Sequence, residues 1–167
     1  MFVIRATNNL LKDMKIEKTI TKLDNSDAFF SWHANLVLIS RRKHIIFMND
    51  LTRLSLTIAG IRSTQYKYLK DIFLKELRDY LMSENLNIVL INEYLNECNN
   101  MLITTTNNRS VIGTMNDVVL IMQEVSKEFK NYNELNKWNN EIIYKPINYA
   151  QPIEVFKQEI ENRYSRI

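Results

Sequence analysis

Between residues 32 and 60 the chain reads WHANLVLIS, HIIFMND and LSLTIAG, three extended apolar runs separated only by the short polar spacers RRK and LTR. Runs of this length and β-branched content, punctuated by compact turns, are expected as three consecutive antiparallel strands. Successive side chains of a strand point to opposite faces. In the first run Trp32, Ala34, Leu36 and Leu38 therefore share one face, and His33, Asn35, Val37 and Ile39 the other. Both faces are largely apolar, which predicts an interior strand covered on both sides. His33 and Asn35 become polar groups held at one end of a covered sheet face.

The remaining elements are arranged around this meander. FVIRA (2–6) is a short β-type run, and TNNLLKDMK reads as a short helix with Thr7 as N-cap. Residues 17–30 are mixed and polar and are expected as a loop with one turn of helix. After Gly60, Leu69, Phe73, Leu77 and Tyr80 recur at helical spacing and predict a helix over 62–82, followed by a second over 85–97. NMLITTT (100–106) reads as a further strand. Val111, Met115, Val118, Met122, Val125 and Phe129 then mark an amphipathic helix over 111–130. Beyond an Asn-rich polar helix or turn around Trp138, Pro152 falls at the first position of a final helix packed through Ile153, Phe156, Ile160 and Tyr164. With no internal repeat and no linker, residues 1–167 are expected as one α+β domain, an antiparallel sheet with helices packed against it, the helices at 62–82 and 111–130 covering the meander.

Composition removes several function classes. The 167 residues are 46% hydrophobic and 25% charged, with a net charge of +3 and a pI near 8.9, a mild basic excess that permits an acidic partner without demanding one. Cys98 is the single cysteine, so an intrachain disulfide and a Cys-rich zinc site are excluded. With only His33 and His44 beside it, no metal or other cofactor is expected. No apolar run reaches the length of a membrane span, and a cytoplasmic protein without membrane contact is the default expectation.

The densest polar stretch that is not a charge run is NNRSVIGTMND, residues 107–117. One reading is helix entry, with Ser110 as N-cap or Thr114 and Asp117 as a capping box, and Gly113 allowing close backbone packing. The other is a polar pocket. A helix N-terminus presents free N–H groups and a positive dipole end, and Arg109 adds a bidentate donor for phosphate or carboxylate, with Asp117 able to orient it. The stretch is not a phosphate-binding loop of the Walker type, because it has one glycine and no Gly-Lys-Ser/Thr.

The segments MFVIRATNNLL, WHANLVLISRRKHIIFMND, NNRSVIGTMND and YAQPIEVF together resemble a family of small bacterial and phage proteins known only as a domain of unknown function. The resemblance covers most of the chain, is most specific at 32–50 and 107–117, and is weakest at about 131–145. It implies a single intact domain and no transferable activity, substrate or cofactor.

Taken together, the residues predict one polar cluster at an end of the sheet, with Arg109 reaching His33, Asn35 or Asn49, and Asn108, Ser110 and Asp117 beside it. Arg41, Arg42 and Lys43 form the only tight basic cluster, a hairpin tip able to contact phosphates, nucleic acid or an acidic protein surface. His44, next to this turn, is expected to be exposed. A trio of Ser110, His33 and Asp117 is conceivable as a nucleophilic site only if geometry unites them. The expected function is a non-enzymatic binding or accessory protein whose pocket takes a protein or a phosphate-bearing ligand. Two alternatives stand beside it. One is an enzyme acting on a nucleotide or nucleic-acid phosphoester through Arg109 and His33; the other is a protein-directed inhibitor or antitoxin-like module using residues 41–43.

Overall fold

The computed structural model describes residues 1–17 and 25–165. Five strands form a single sheet in the order β4-β3-β2-β1-β5. They are β1 (Phe2–Ala6), β2 (Ser31–Ile39), β3 (Arg42–Asn49), β4 (Ser55–Ala59) and β5 (Met101–Thr105). Strands β2, β3 and β4 pair antiparallel, Ala34 opposite Phe47 and Phe47 opposite Leu56. The sheet as a whole is mixed, which corrects the antiparallel expectation. Strand β1 runs parallel to both β2 and β5, setting Arg5 opposite His33 on one side and Thr104 on the other. A period-two pattern marks a strand but carries no direction. Direction comes from the connections, and β1 and β5 are each reached through long segments that contain helices.

Among the described residues six α-helices cover the sheet: α1 (Asn8–Asp13), α2 (Leu69–Ser83), α3 (Ile88–Glu97), α4 (Arg109–Val125), α5 (Tyr132–Asn139) and α6 (Pro152–Tyr164). On one face α2, α3 and α6 bury Phe2, Trp32, Phe47, Phe73 and Phe156 in a continuous aromatic core. Trp32 Nε1–H donates to Tyr94 Oη (3.0 Å), whose hydroxyl donates to the Phe29 carbonyl (2.8 Å), so the buried polar tips are paired. On the other face Val111, Met115, Val118 and Met122 of α4 pack on Val37, Ile39, Ile46 and Met48. Of the loop expected over 17–30, residues 18–24 lie outside the described residues, and Ala28–Phe30 form a single 3₁₀ turn capped by Asp27.

Helix α5 covers the β4 edge with side-chain amides. Asn140 accepts from the Ser55 N–H (2.8 Å) and donates to the Ser55 carbonyl (2.8 Å). One turn earlier Asn136 does the same at Thr57 (2.8 and 3.2 Å). The Asn-rich segment thus satisfies an outward-facing strand edge that would otherwise recruit another chain.

Candidate functional site

Helix α4 begins two residues earlier than its apolar stripe suggests. Its N-cap is Asn108, whose Oδ1 accepts from the N–H groups of Ser110 (3.0 Å) and Val111 (3.2 Å). Neither Ser110 nor Thr114 caps it, because an asparagine ahead of both can reach the first free donors. Thr114 instead bonds back to the Ser110 carbonyl. Gly113 is exposed, and a Cβ there would meet no atom within 4 Å, so close packing does not explain it.

Arg109 at the first helical position is exposed, and among the described residues it makes no hydrogen bond or ion pair with His33, Asn35, Asn49 or Asp117. Asp117 is exposed eight residues further on, about 12 Å along the axis, and cannot orient it. Asn49 is saturated: it donates to the Phe29 carbonyl (2.9 Å) and accepts from Leu51 N–H, Thr52 N–H and Thr52 Oγ1. It builds the β3–β4 turn. Asn35 accepts from Thr7 Oγ1 (2.6 Å), which diverts Thr7 from capping α1.

His33 does sit in a polar cluster, but with other partners. Its Nδ1 lies 2.6 Å from Asp50 Oδ1, and its Nε2 accepts from the Asn107 N–H at 3.4 Å. With Nε2 accepting, the ring proton is on Nδ1 and is donated to the carboxylate. Asp50 Oδ2 is 3.7 Å from Arg5 Nε, and Arg5 Nη2 donates to Ser26 Oγ at 2.7 Å. Arg53 completes the group: Nη1 donates to the Asp50 carbonyl, and Nη2 donates to Ser110 Oγ at 3.1 Å. Ser110 and His33 thus belong to one neighbourhood, while Asp50 rather than Asp117 is the histidine's carboxylate. The trio of Ser110, His33 and Asp117 does not form.

Electrostatics make this cluster unusual. Arg5 is 4% exposed, Arg53 7% and His33 0%, all beyond nine-tenths buried. Burial draws the Arg53 guanidinium below its usual pKa, and the Asp50 carboxylate opposes that shift. Two guanidiniums face one carboxylate among the described residues. The Nε atoms of both arginines are buried without a hydrogen-bond partner, although Arg5 Nε remains within ion-pair distance of Asp50. Arg53 is further held at a φ of 61°, a left-handed conformation that costs a non-glycine residue about 1–2 kcal/mol. The first turn of α4 brings its positive end to the same place.

Arg5 escaped notice because FVIRA reads as an apolar strand, yet an arginine inside such a run was itself the signal. Asp50 precedes and Arg53 ends a spacer that reads only as a short polar turn, since nothing local shows that the turn folds under α4.

At the basic hairpin, Ser40 and Arg41 form the two-residue turn and Arg42 and Lys43 lie within β3. Arg41 and Arg42 are exposed, and Lys43 pairs with Asp13 at 2.6 Å. His44 is buried rather than exposed, because its side chain turns under α5. Its Nδ1 donates to the Arg42 carbonyl (2.8 Å), and its Nε2 accepts from the Tyr132 hydroxyl. Burial lowers its pKa below the usual value. Among the described residues no group of His, Cys, Asp and Glu could hold a metal ion, and no helix is long and apolar enough to cross a membrane.

Fold and site together define a single-sheet α+β protein with a buried arginine–histidine–aspartate cluster beneath a helix N-terminus. The chain belongs to the family of the domain of unknown function DUF6933, whose model matches residues 3–155, a span that takes in every residue of that cluster. No curated protein and no solved structure matches it.

Proposed function

We propose that the protein is a binding or accessory module, of bacterial or phage origin, that recognises an anionic group of the phosphate kind at the Arg5–Arg53–Asp50–His33 cluster. The observation carrying this reading is the charge imbalance among the described residues: two buried guanidiniums, each with an Nε–H that has no hydrogen-bond partner, against one carboxylate. An uncompensated buried charge costs several kcal/mol, and an anion at this point would relieve it. The positive end of the α4 dipole favours an anion there, and the Ser110 O–H, whose oxygen accepts from Arg53 Nη2, can donate to one. Residues 107–110 beside the cluster are exposed. Binding rather than catalysis follows from His33, whose Nε2 is covered by a backbone N–H and reaches no open space for a reacting atom.

Thermal melts in orthophosphate, against chloride at matched ionic strength, test this. The expected result is a saturable, phosphate-specific rise in melting temperature that Arg53→Met and Arg5→Met each remove. In phosphate-free buffer Arg53→Met should cost less than the about 3–5 kcal/mol of a broken buried pair, because one guanidinium remains for the one carboxylate. A shift no larger than that in chloride, or one undiminished in both variants, would reject the reading.

A further inference from the structure

At the far end of α4, about 24 Å from Ser110 by helix rise, Ser40 at the tip of the basic hairpin lines one side of a second candidate site. A cleft of about 450 Å³ opens there between Ser40 and the segment 126–135. Lys127 and Lys130 line it together with Phe129 and Tyr132, and no acidic side chain does. Arg42 lies close enough for its charge to act on both His44 and Tyr132. The hydrogen bond from the Tyr132 hydroxyl to buried His44 fixes the tyrosine ring against the strand, with centroids 5.0 Å apart. Phe129 is held by Trp138 at 5.6 Å. Both rings bordering the cleft are therefore braced from behind.

Two lysines after a helix C-terminus could simply offset its negative end. That leaves the hairpin unexplained. Ser40 and Arg41 both occupy the left-handed region, at φ 50° and 65°. A two-residue turn of this kind is ordinarily filled by Asn-Gly, since other residues are strained there. Here the strained turn places Ser40 in the cleft wall, and Arg41 and Arg42, next to it in the chain, are exposed. Strain of this kind clusters where a surface has work other than folding.

We propose that this cleft binds a nucleoside phosphate, the phosphate held by Lys127, Lys130 and Arg42 and the base laid against Phe129 and Tyr132. The volume suits one nucleotide unit, and cations beside braced aromatic rings are the combination that holds unpaired nucleotides. The same chemistry is offered by a free nucleotide and by a single-stranded nucleic acid. Fluorescence anisotropy with a labelled adenosine nucleotide and with a short labelled oligothymidylate separates these sources. Wild type should bind at least one probe saturably at low salt. The exposed double substitution Lys127→Gln/Lys130→Gln should weaken binding about tenfold or more, and for the oligonucleotide it should flatten the salt slope by about 1.4. Phe129→Ala should weaken it with the slope unchanged. Circular dichroism of each variant checks that the fold is kept. Failure of both probes to bind, affinity unaltered by the lysine substitutions, or preferential binding of an oligoglutamate peptide would each overturn the proposal.

Discussion

Asn136 on α5 and Asn140, its C-cap, stand one helical turn apart, and each carboxamide meets both the N–H and the carbonyl of one β4 residue, as a neighbouring strand would. Asn140 also donates to the Tyr80 hydroxyl at 2.9 Å, tying α5 to α2 as well as to the sheet. Replacing it leaves a buried donor and a buried acceptor of Ser55 unpaired. Asn140→Ala is expected to lower unfolding stability by about 3 kcal/mol, measured by urea denaturation, within the range for unsatisfied buried groups. A loss below about 0.5 kcal/mol would mean that water replaces the amide without penalty. Such a residue could not be recognised from its letter alone. Asparagine is abundant throughout this chain, and only the placement of α5 across the β4 edge separates these two from solvated ones.

Among elements, α6 is fastened by charge as well as by its apolar stripe. Arg163 near its end donates to Asp27 Oδ2 at 2.5 Å and to Oδ1 at 3.2 Å, and its guanidinium lies 4.7 Å from the Phe29 ring centre. Arg163, and then the Phe29 N–H, hold the Asp27 carboxyl below its usual pKa, against partial desolvation. A carboxylate with a depressed folded pKa stabilises above its unfolded value and loses that contribution as pH falls through the folded one. The end of α6 should therefore stay protected at neutral pH and loosen below about pH 4, where free aspartate begins to protonate. Hydrogen-exchange protection over residues 159–164 should show this, and Asp27→Asn should lessen the pH dependence, since Glu159 and Glu97 also hold Arg163 and Tyr164. Equal protection factors, each referred to the intrinsic exchange rate at its pH, at neutral and acidic pH in the wild-type chain would contradict it.

The same scale shows which elements could be read in advance. The stripes Val111–Met122 and Ile153–Tyr164 predicted α4 and α6 because their partners, whatever they are, must be apolar. The parallel setting of β1 and the Asn108 cap depended on non-local geometry or on one polar residue among several equally suitable. His44 was misread for a similar reason: its neighbours in sequence are charged, while its neighbours in space, Tyr132 among them, come from 88 residues away.

For the molecule as a whole, the sheet puts an aromatic core on one face and shares the other between the apolar packing of α4 and a charged cluster. Arg5 comes from β1, His33 from β2, Asp50 and Arg53 from the β3–β4 turn, and Ser110 from α4. The sequence reading expects Arg109 near His33, whereas in the structure the arginines of that cluster are Arg5 and Arg53. Arg109 is adjacent in the chain to the helix start, while Arg5 is adjacent only through the β1–β2 register. The central claim is that the Nε–H groups of Arg5 and Arg53, neither of which makes a hydrogen bond, receive an anion. Titrating orthophosphate into ¹⁵N-labelled protein while following arginine Nε–Hε resonances tests it at the atoms concerned, with Arg5→Lys and Arg53→Lys supplying the assignments. The account predicts saturable shifts of these two resonances with phosphate and not with chloride. Unchanged Arg5 and Arg53 signals, with shifts confined to exposed arginines such as Arg41 and Arg109, would contradict it.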